Sequence, residues 1–172
     1  MEYIDLYKDQ YEKTDLTAIR KTKLPENHYG IIVFGCIFNS EGKMLIQQRA
    51  KTKSWAGIWD VSSGGAVISG ETSRQAVARE TREELGIDLD PDRFVKVFSL
   101  YYDNSIHDIY NLVLEPGETY ECSVPNEEVA AVTWASEEEI LDMLDSRTFL
   151  PVYKEFIGLL FRMKTRKGIV TY

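Results

Sequence analysis

Glu80, Glu83 and Glu84 put three carboxylates into the short segment RETREELG, residues 79–86. On a helix, at about 100° per residue, they fall within about 100° of one another and form one cluster. Ala78, Thr81 and Leu85 take a different side, suited to a core. Like charges at i, i+4 cost an isolated helix roughly a few tenths of a kcal/mol. The last turn is also the negative end of the helix dipole, the wrong end for carboxylates. Two local rules are broken in one place, and such breaks tend to mark functional sites. A hard divalent cation removes the conflict, because Mg²⁺ takes oxygen ligands and keeps several waters. The competing reading of an E-x-x-E-E cluster taken alone is a solvated acidic face.

The elements that must position these carboxylates can be read from spacing. A helix is predicted over residues 73–85, with Thr72 and Gln75 as a capping box and Gly86 as its stop. Upstream, residues 2–8 alternate and read as a strand, and residues 9–27 are polar with a turn at Pro25 and Asn27. Residues 29–38 read as a buried strand, Asn39 to Gly42 as a hairpin turn, and residues 43–49 as the next strand. Residues 50–71, rich in glycine and serine near their middle, read as mostly loop. Strands follow near 94–102, 106–115 and 129–135. Ser136 with Glu139 opens a helix to about Leu144, and Pro151 is placed to start the last one. The sum is a mixed sheet with helices packed on it, α/β in class.

Composition bounds the partners. The chain has 172 residues, 44% hydrophobic and 28% charged, which suits one domain with a full core. The expectation is a single domain over 1–172 with an N-terminal strand or hairpin extension at about 1–27. A formal net charge of -8 argues against a nucleic-acid polymer or an anionic membrane surface as partner. It leaves room for a small phosphorylated ligand bridged to acidic groups by metal ions. The first residues lack the apolar core of a signal peptide, and Cys36 and Cys122 read as reduced thiols of a cytoplasmic protein. His28 and His107 are too isolated for a zinc site.

The spacing around the glutamates extends further. From Gly65 the chain runs Gly, five residues, Glu71, seven residues, Arg79-Glu80, two residues, Glu83-Glu84, one residue, Gly86 and then apolar Ile87. This resembles the Nudix hydrolase signature along its full length of 23 residues, residues 65–87, with all seven literal positions matched. One position departs: Thr81 stands where the pattern has an apolar residue. The resemblance implies an α/β/α sandwich and a MutT-like pyrophosphatase. Such an enzyme cleaves a nucleoside diphosphate linked to another group, using Mg²⁺ or Mn²⁺. It implies that Glu80, Glu83 and Glu84 hold metal together with the Gly65 carbonyl, and that one of the three is the general base. It implies that Arg79 and Glu71 orient these glutamates by ion pairing. In some members the base lies on a distant loop, and Glu127 or Glu128 is the candidate here.

The preceding loop, Gln47 to Gly65, carries Arg49, Lys51 and Lys53 in an otherwise acidic protein. Cations beside an acidic metal site suit a diphosphate. The stretch resembles the Nudix branch that includes isopentenyl-diphosphate isomerase, in which an arginine and a lysine four residues on hold the diphosphate. Arg49 and Lys53 keep that spacing. The isomerase also uses a cysteine and a histidine just after this loop, where this chain has Ser62-Ser63-Gly64-Gly65-Ala66. Trp55 reads as pocket or sheet cover, Trp59 and Trp134 as packing. Tyr101, Tyr102 and Tyr110 read as base-stacking or, more commonly for strand tyrosines, structural. Hydrolysis of a small diphosphate is the expected activity. The alternatives are an isomerase-like enzyme and a non-catalytic nucleotide sensor. A homodimer through the C-terminal helix or the N-terminal strand is a further expectation.

Overall fold

A computed structural model describes residues 2–165; residue 1 and residues 166–172 of the expected domain lie outside it. In chain order the strands are β1 (Tyr3–Lys8), β2 (Glu12–Ile19), β3 (Gly30–Phe38), β4 (Met44–Arg49), β5 (Trp59–Asp60), β6 (Ser63–Ala66), β7 (Val95–Tyr102), β8 (Ser105–Val113) and β9 (Val129–Ala135). The α-helices are α1 (Ser73–Leu85), α2 (Glu137–Asp145) and α3 (Lys154–Met163).

β3 is the spine of a mixed sheet. It runs parallel to β8 along its whole length, antiparallel to β6 beside its first half, and turns into β4 at Phe38. β7 flanks β8, and β9 and β5 flank β4. Side chains of a strand alternate between faces, and β3 uses both. Ile31, Val33 and Ile37 join Val77 and Leu85 of α1 in one core. Cys36 and Phe38 join Ile140 of α2 and Ile157 and Leu160 of α3 in the other. The architecture is the expected α/β/α sandwich.

β1 and β2 form a separate two-stranded hairpin with mostly exposed β2 residues. It is fastened to the main body at Tyr7, whose backbone exchanges hydrogen bonds of 2.9 and 2.8 Å with Tyr29. It is fastened again at Tyr11, whose hydroxyl donates to Asp108 in the centre of β8. Asp108 is fully buried and also accepts from Ser99 and pairs with Lys96 at 2.7 Å.

The structure adds strands to two stretches read from spacing and moves the start of one helix. Residues 50–71 are mostly loop, with β5 and β6 formed near their centre, and β6 pairs with β3 through backbone groups that glycine and serine supply as well as any residue. The polar run 9–27 contains β2, held by backbone bonds to β1 rather than by an apolar face. Pro151 does not start the last helix, which begins at Lys154, because Leu150 N–H donates to Trp59 O at 2.8 Å and keeps the chain extended.

Candidate active site

The helix carrying the glutamates starts and stops where the caps dictate. Thr72 accepts from Gln75 N–H, the Gln75 side chain answers the Thr72 N–H, and Gly86 closes the helix at φ 75°. The acidic face is not solvated. Glu80 is 6% and Glu84 2% exposed; Glu83 alone of the three stands out in water.

Arg79 organises the cluster. Its Nε and Nη2 donate to the two Glu71 oxygens at 3.1 and 2.7 Å. Its Nη1 donates to Glu80 Oε1 at 2.8 Å and to Glu83 Oε2 at 3.0 Å, and Nη2 also reaches the Ala66 carbonyl at 3.0 Å. One planar fork therefore sets three carboxylates and ties them to β6. Gly65 lies directly against Glu80: a Cβ at residue 65 would fall 2.1 Å from the Glu80 carboxyl carbon. Glu84 sits in its own cradle, where Oε2 accepts from Gln47 Nε2 at 2.8 Å and from Gly64 N–H at 3.0 Å. Thr81, the departure from the signature, is fully buried and bonds Val77 O and Ser63 Oγ, both at 2.8 Å. A polar partner on β6 takes the place of apolar packing.

Burial raises the Glu84 carboxyl to about 7, against the opposing pull of the Gly64 N–H and Gln47 bonds. Burial also raises Glu80, with Arg79 opposing and a smaller opposing contribution from the charge of Arg20. Removing carboxylates from water disfavours their charged form, and a bound cation reverses that preference. Among the described residues no three His, Cys, Asp or Glu side chains are already set at the spacing of a metal cage. The donors nonetheless fit a hard cation. They are all oxygens, and glycine at residue 65 leaves backbone and carboxyl in contact where any Cβ would intrude.

The basic residues are placed unevenly. Arg49 lines an open cleft of about 480 Å³ beside Gly64 and Gly65, together with Trp55, which is 58% exposed. Its guanidinium is committed: Nη1 donates to buried Asp60 at 3.0 Å and Nε to Ser54 O at 2.7 Å. Burial raises the Asp60 carboxyl while the Val61 N–H and Arg49 oppose it. Lys53 is turned to Glu128, forming a short ion pair, and does not line the cleft. Glu127 offers its carbonyl to Thr52. Trp59 and Trp134 pack against the two cores, Tyr110 bonds Ser73 at 2.6 Å, and Tyr101 and Tyr102 are exposed on β7. The sequence reading missed Gln47 and Asp60. Gln47 carried no signal, because a register shift between Gln48 and Arg49 breaks the two-residue period that would relate it to Arg49. Asp60 carried none, because its partner is reached only through β4–β5 pairing.

A loop-helix-loop of this kind inside an α/β/α sandwich defines a class of phosphoanhydride-cleaving enzymes. The NUDIX domain matches residues 28–156, and the chain belongs to the Nudix family. Within it the chain is a Nudix-type pyrophosphohydrolase. It is 36% identical over 170 residues to an uncharacterized Nudix hydrolase of Listeria innocua, covering 98% of this chain and 99% of that one. It is 32% identical over 143 residues to an isopentenyl-diphosphate Delta-isomerase of Cutibacterium acnes, covering 76% and 72%. A crystal structure of a Deinococcus radiodurans protein superposes with a TM-score of 0.72 at 25% identity, covering 96% of this chain and all of that one.

Proposed function

We propose that the enzyme hydrolyses the diphosphate linkage of a nucleoside diphosphate joined to another group, with Mg²⁺, or alternatively Mn²⁺, as cofactor. The observation that carries this is the Arg79 fork, which fixes Glu71, Glu80 and Glu83 beside the Gly65 backbone. Glu80, Glu83, Glu84 and the Gly65 carbonyl are the groups that would hold the metal. When bound, it supplies charge neutralisation at phosphate and a more acidic water. The protein's own work is to hold the carboxylates. Arg79 orients Glu80 and Glu83, and Glu71 orients Arg79. Glu84 is bound through Oε2 alone, which leaves Oε1 for a cation or a proton. Arg49 lines the cleft with its guanidinium paired to Asp60, and the exposed Trp55 ring offers an apolar plane on the same cleft. Both cysteines are free, which supports a cytoplasmic setting.

Isomerase chemistry is disfavoured by the same geometry. Ser62 Oγ is spent on Leu45 O and Ile37 N–H, and Ser63 Oγ on Thr81, so the run after the loop presents no acid. Cys36 is fully buried and burial pushes its thiol up, which makes it inert.

The test is turnover with Mg²⁺ on nucleoside triphosphates, sugar nucleotides, dinucleotides, coenzyme A and isoprenoid diphosphates, with Glu83→Gln as the blank. Hydrolysis of one class, lost by orders of magnitude in the variant, is the expected result. Equal turnover by both proteins would remove Glu83 from the chemistry.

A further inference from the structure

We propose that the N-terminal hairpin supplies a second diphosphate-binding cation, Arg20, which exchanges its Glu2 partner for a phosphate oxygen when substrate enters. The inference rests on the reading of this cleft as the diphosphate site. Arg20 lies just beyond the end of β2, outside the stretch matched by the Nudix domain. It nevertheless lines the same cleft as Gly64, Gly65, Arg49 and Trp55.

Donor accounting separates it from the other arginines of the site. A guanidinium carries five N–H donors in a planar fork. Arg79 spends all three of its nitrogens on Glu71, Glu80, Glu83 and the Ala66 carbonyl. Arg49 spends all three on Asp60 and Ser54. Among the described residues Arg20 uses only Nη1, in a bond of 2.7 Å to Glu2 Oε2; Nε and Nη2 have no partner there. Its side chain is 34% exposed and that of Glu2 55%, so the pair is a surface ion pair of small net worth. A doubly charged phosphate beside a metal competes well with one exposed carboxylate. The backbone meanwhile holds the residue in place, because Arg20 N–H donates to Glu2 O at 2.9 Å.

The experiment measures binding of methylenediphosphonate, a diphosphate that cannot be hydrolysed at its bridge, to the Mg²⁺-loaded protein by calorimetry. Wild type, Arg20→Ala, Arg20→Lys and Glu2→Ala are compared, each checked by its thermal midpoint. A phosphate-binding Arg20 weakens binding about tenfold or more in Arg20→Ala, keeps part of it in Arg20→Lys, and binds at least as tightly in Glu2→Ala. The proposal is overturned by unchanged binding in Arg20→Ala, by equal losses in Glu2→Ala and Arg20→Ala, or by a wild type that does not bind. Arg20-dependent binding without hydrolysis of any substrate would sink the proposed activity and support this assignment.

Discussion

Gly65 and Glu80 are in such close contact that the site has no room for a single added carbon. A Cβ on residue 65 would lie 2.1 Å from the carboxyl carbon and Oε1 of Glu80 and 2.5 Å from Oε2. The clash is with a side-chain end, so Gly65→Ala leaves the protein folded and displaces Glu80 from its Arg79 bond. Misplacement of a reacting group by about 1 Å can cost a hundredfold in rate. Steady-state hydrolysis should fall by about that factor, while thermal unfolding shifts by only a few degrees. A variant with full activity would show that the Glu80 position is not used.

Arg79→Lys keeps the charge and loses the fork. Lysine is a point charge and cannot hold Glu71, Glu80 and Glu83 at once. Turnover should drop sharply and Mg²⁺ affinity should weaken, the latter read by metal titration. Arg79→Ala should additionally cost on the order of 3 kcal/mol in urea unfolding, because partly buried carboxylates are left unpaired.

The Glu84 contribution to the stability of the metal-free protein should depend on pH with an unusual sign. Burial lifts the Glu84 carboxyl from 4.5 to about 7. The folded state then holds this proton more tightly than the unfolded chain, so the Glu84 contribution to stability is fully present below pH 4.5 and is lost as pH rises through about 7, while Glu118, Asp5 and His107, all lowered, act in the opposite direction. Glu80 and Asp60, also raised by burial, act in the same direction as Glu84. The Glu84 share of the decline is roughly 3 kcal/mol. Thermal midpoints from pH 4.5 to 8 would record it. Glu84→Gln should flatten the profile, and Mg²⁺ should stabilise more at pH 8 than at pH 5, since it binds the ionised carboxylates. A wild-type profile that parallels that of Glu84→Gln from pH 4.5 to 8 would contradict the buried-carboxyl account.

Tyr11→Phe should loosen the N-terminal hairpin. Tyr11 and Gln10 stand at φ 66° and 60°, a backbone region that side-chain-bearing residues rarely adopt, and the Asp108 bond holds them there. Losing that donor should cost about 1–3 kcal/mol. Amide exchange should quicken in β1 and β2 before it does in β3 and β8.

The sequence disclosed what is local. α1 is bounded by its own caps, Thr72 with Gln75 and Gly86, and its observed ends are those expected from them. The resemblance to the Nudix signature implied the Arg79 ion pairs as well, and fork and carboxylates do lie on one turn of helix or one loop away. Partners set by tertiary contact were not readable. Nothing in the type of Gln47 announces that it supports Glu84 from another strand, and nothing in Lys53 shows that Glu128, 75 residues on, takes its charge. β6 was hidden for another reason: its pairing is a backbone matter, and its side chains carry no apolar alternation.

The parallel alignment of β3 with β8 joins Gly30 to Ser105 and Phe38 to Val113. Every residue of the acidic box lies on the chain between those two strands. Its loop must be closed, at an entropic cost that grows slowly with length, before the central ladder can form. Partners so distant in sequence are also the slow kind of contact to make. A nascent chain that has emerged only as far as Gly86 therefore owns all seven signature residues and still lacks the β3–β8 spine beneath them. The acidic box is then a property of the finished topology, complete only when the second half of the sheet is in place.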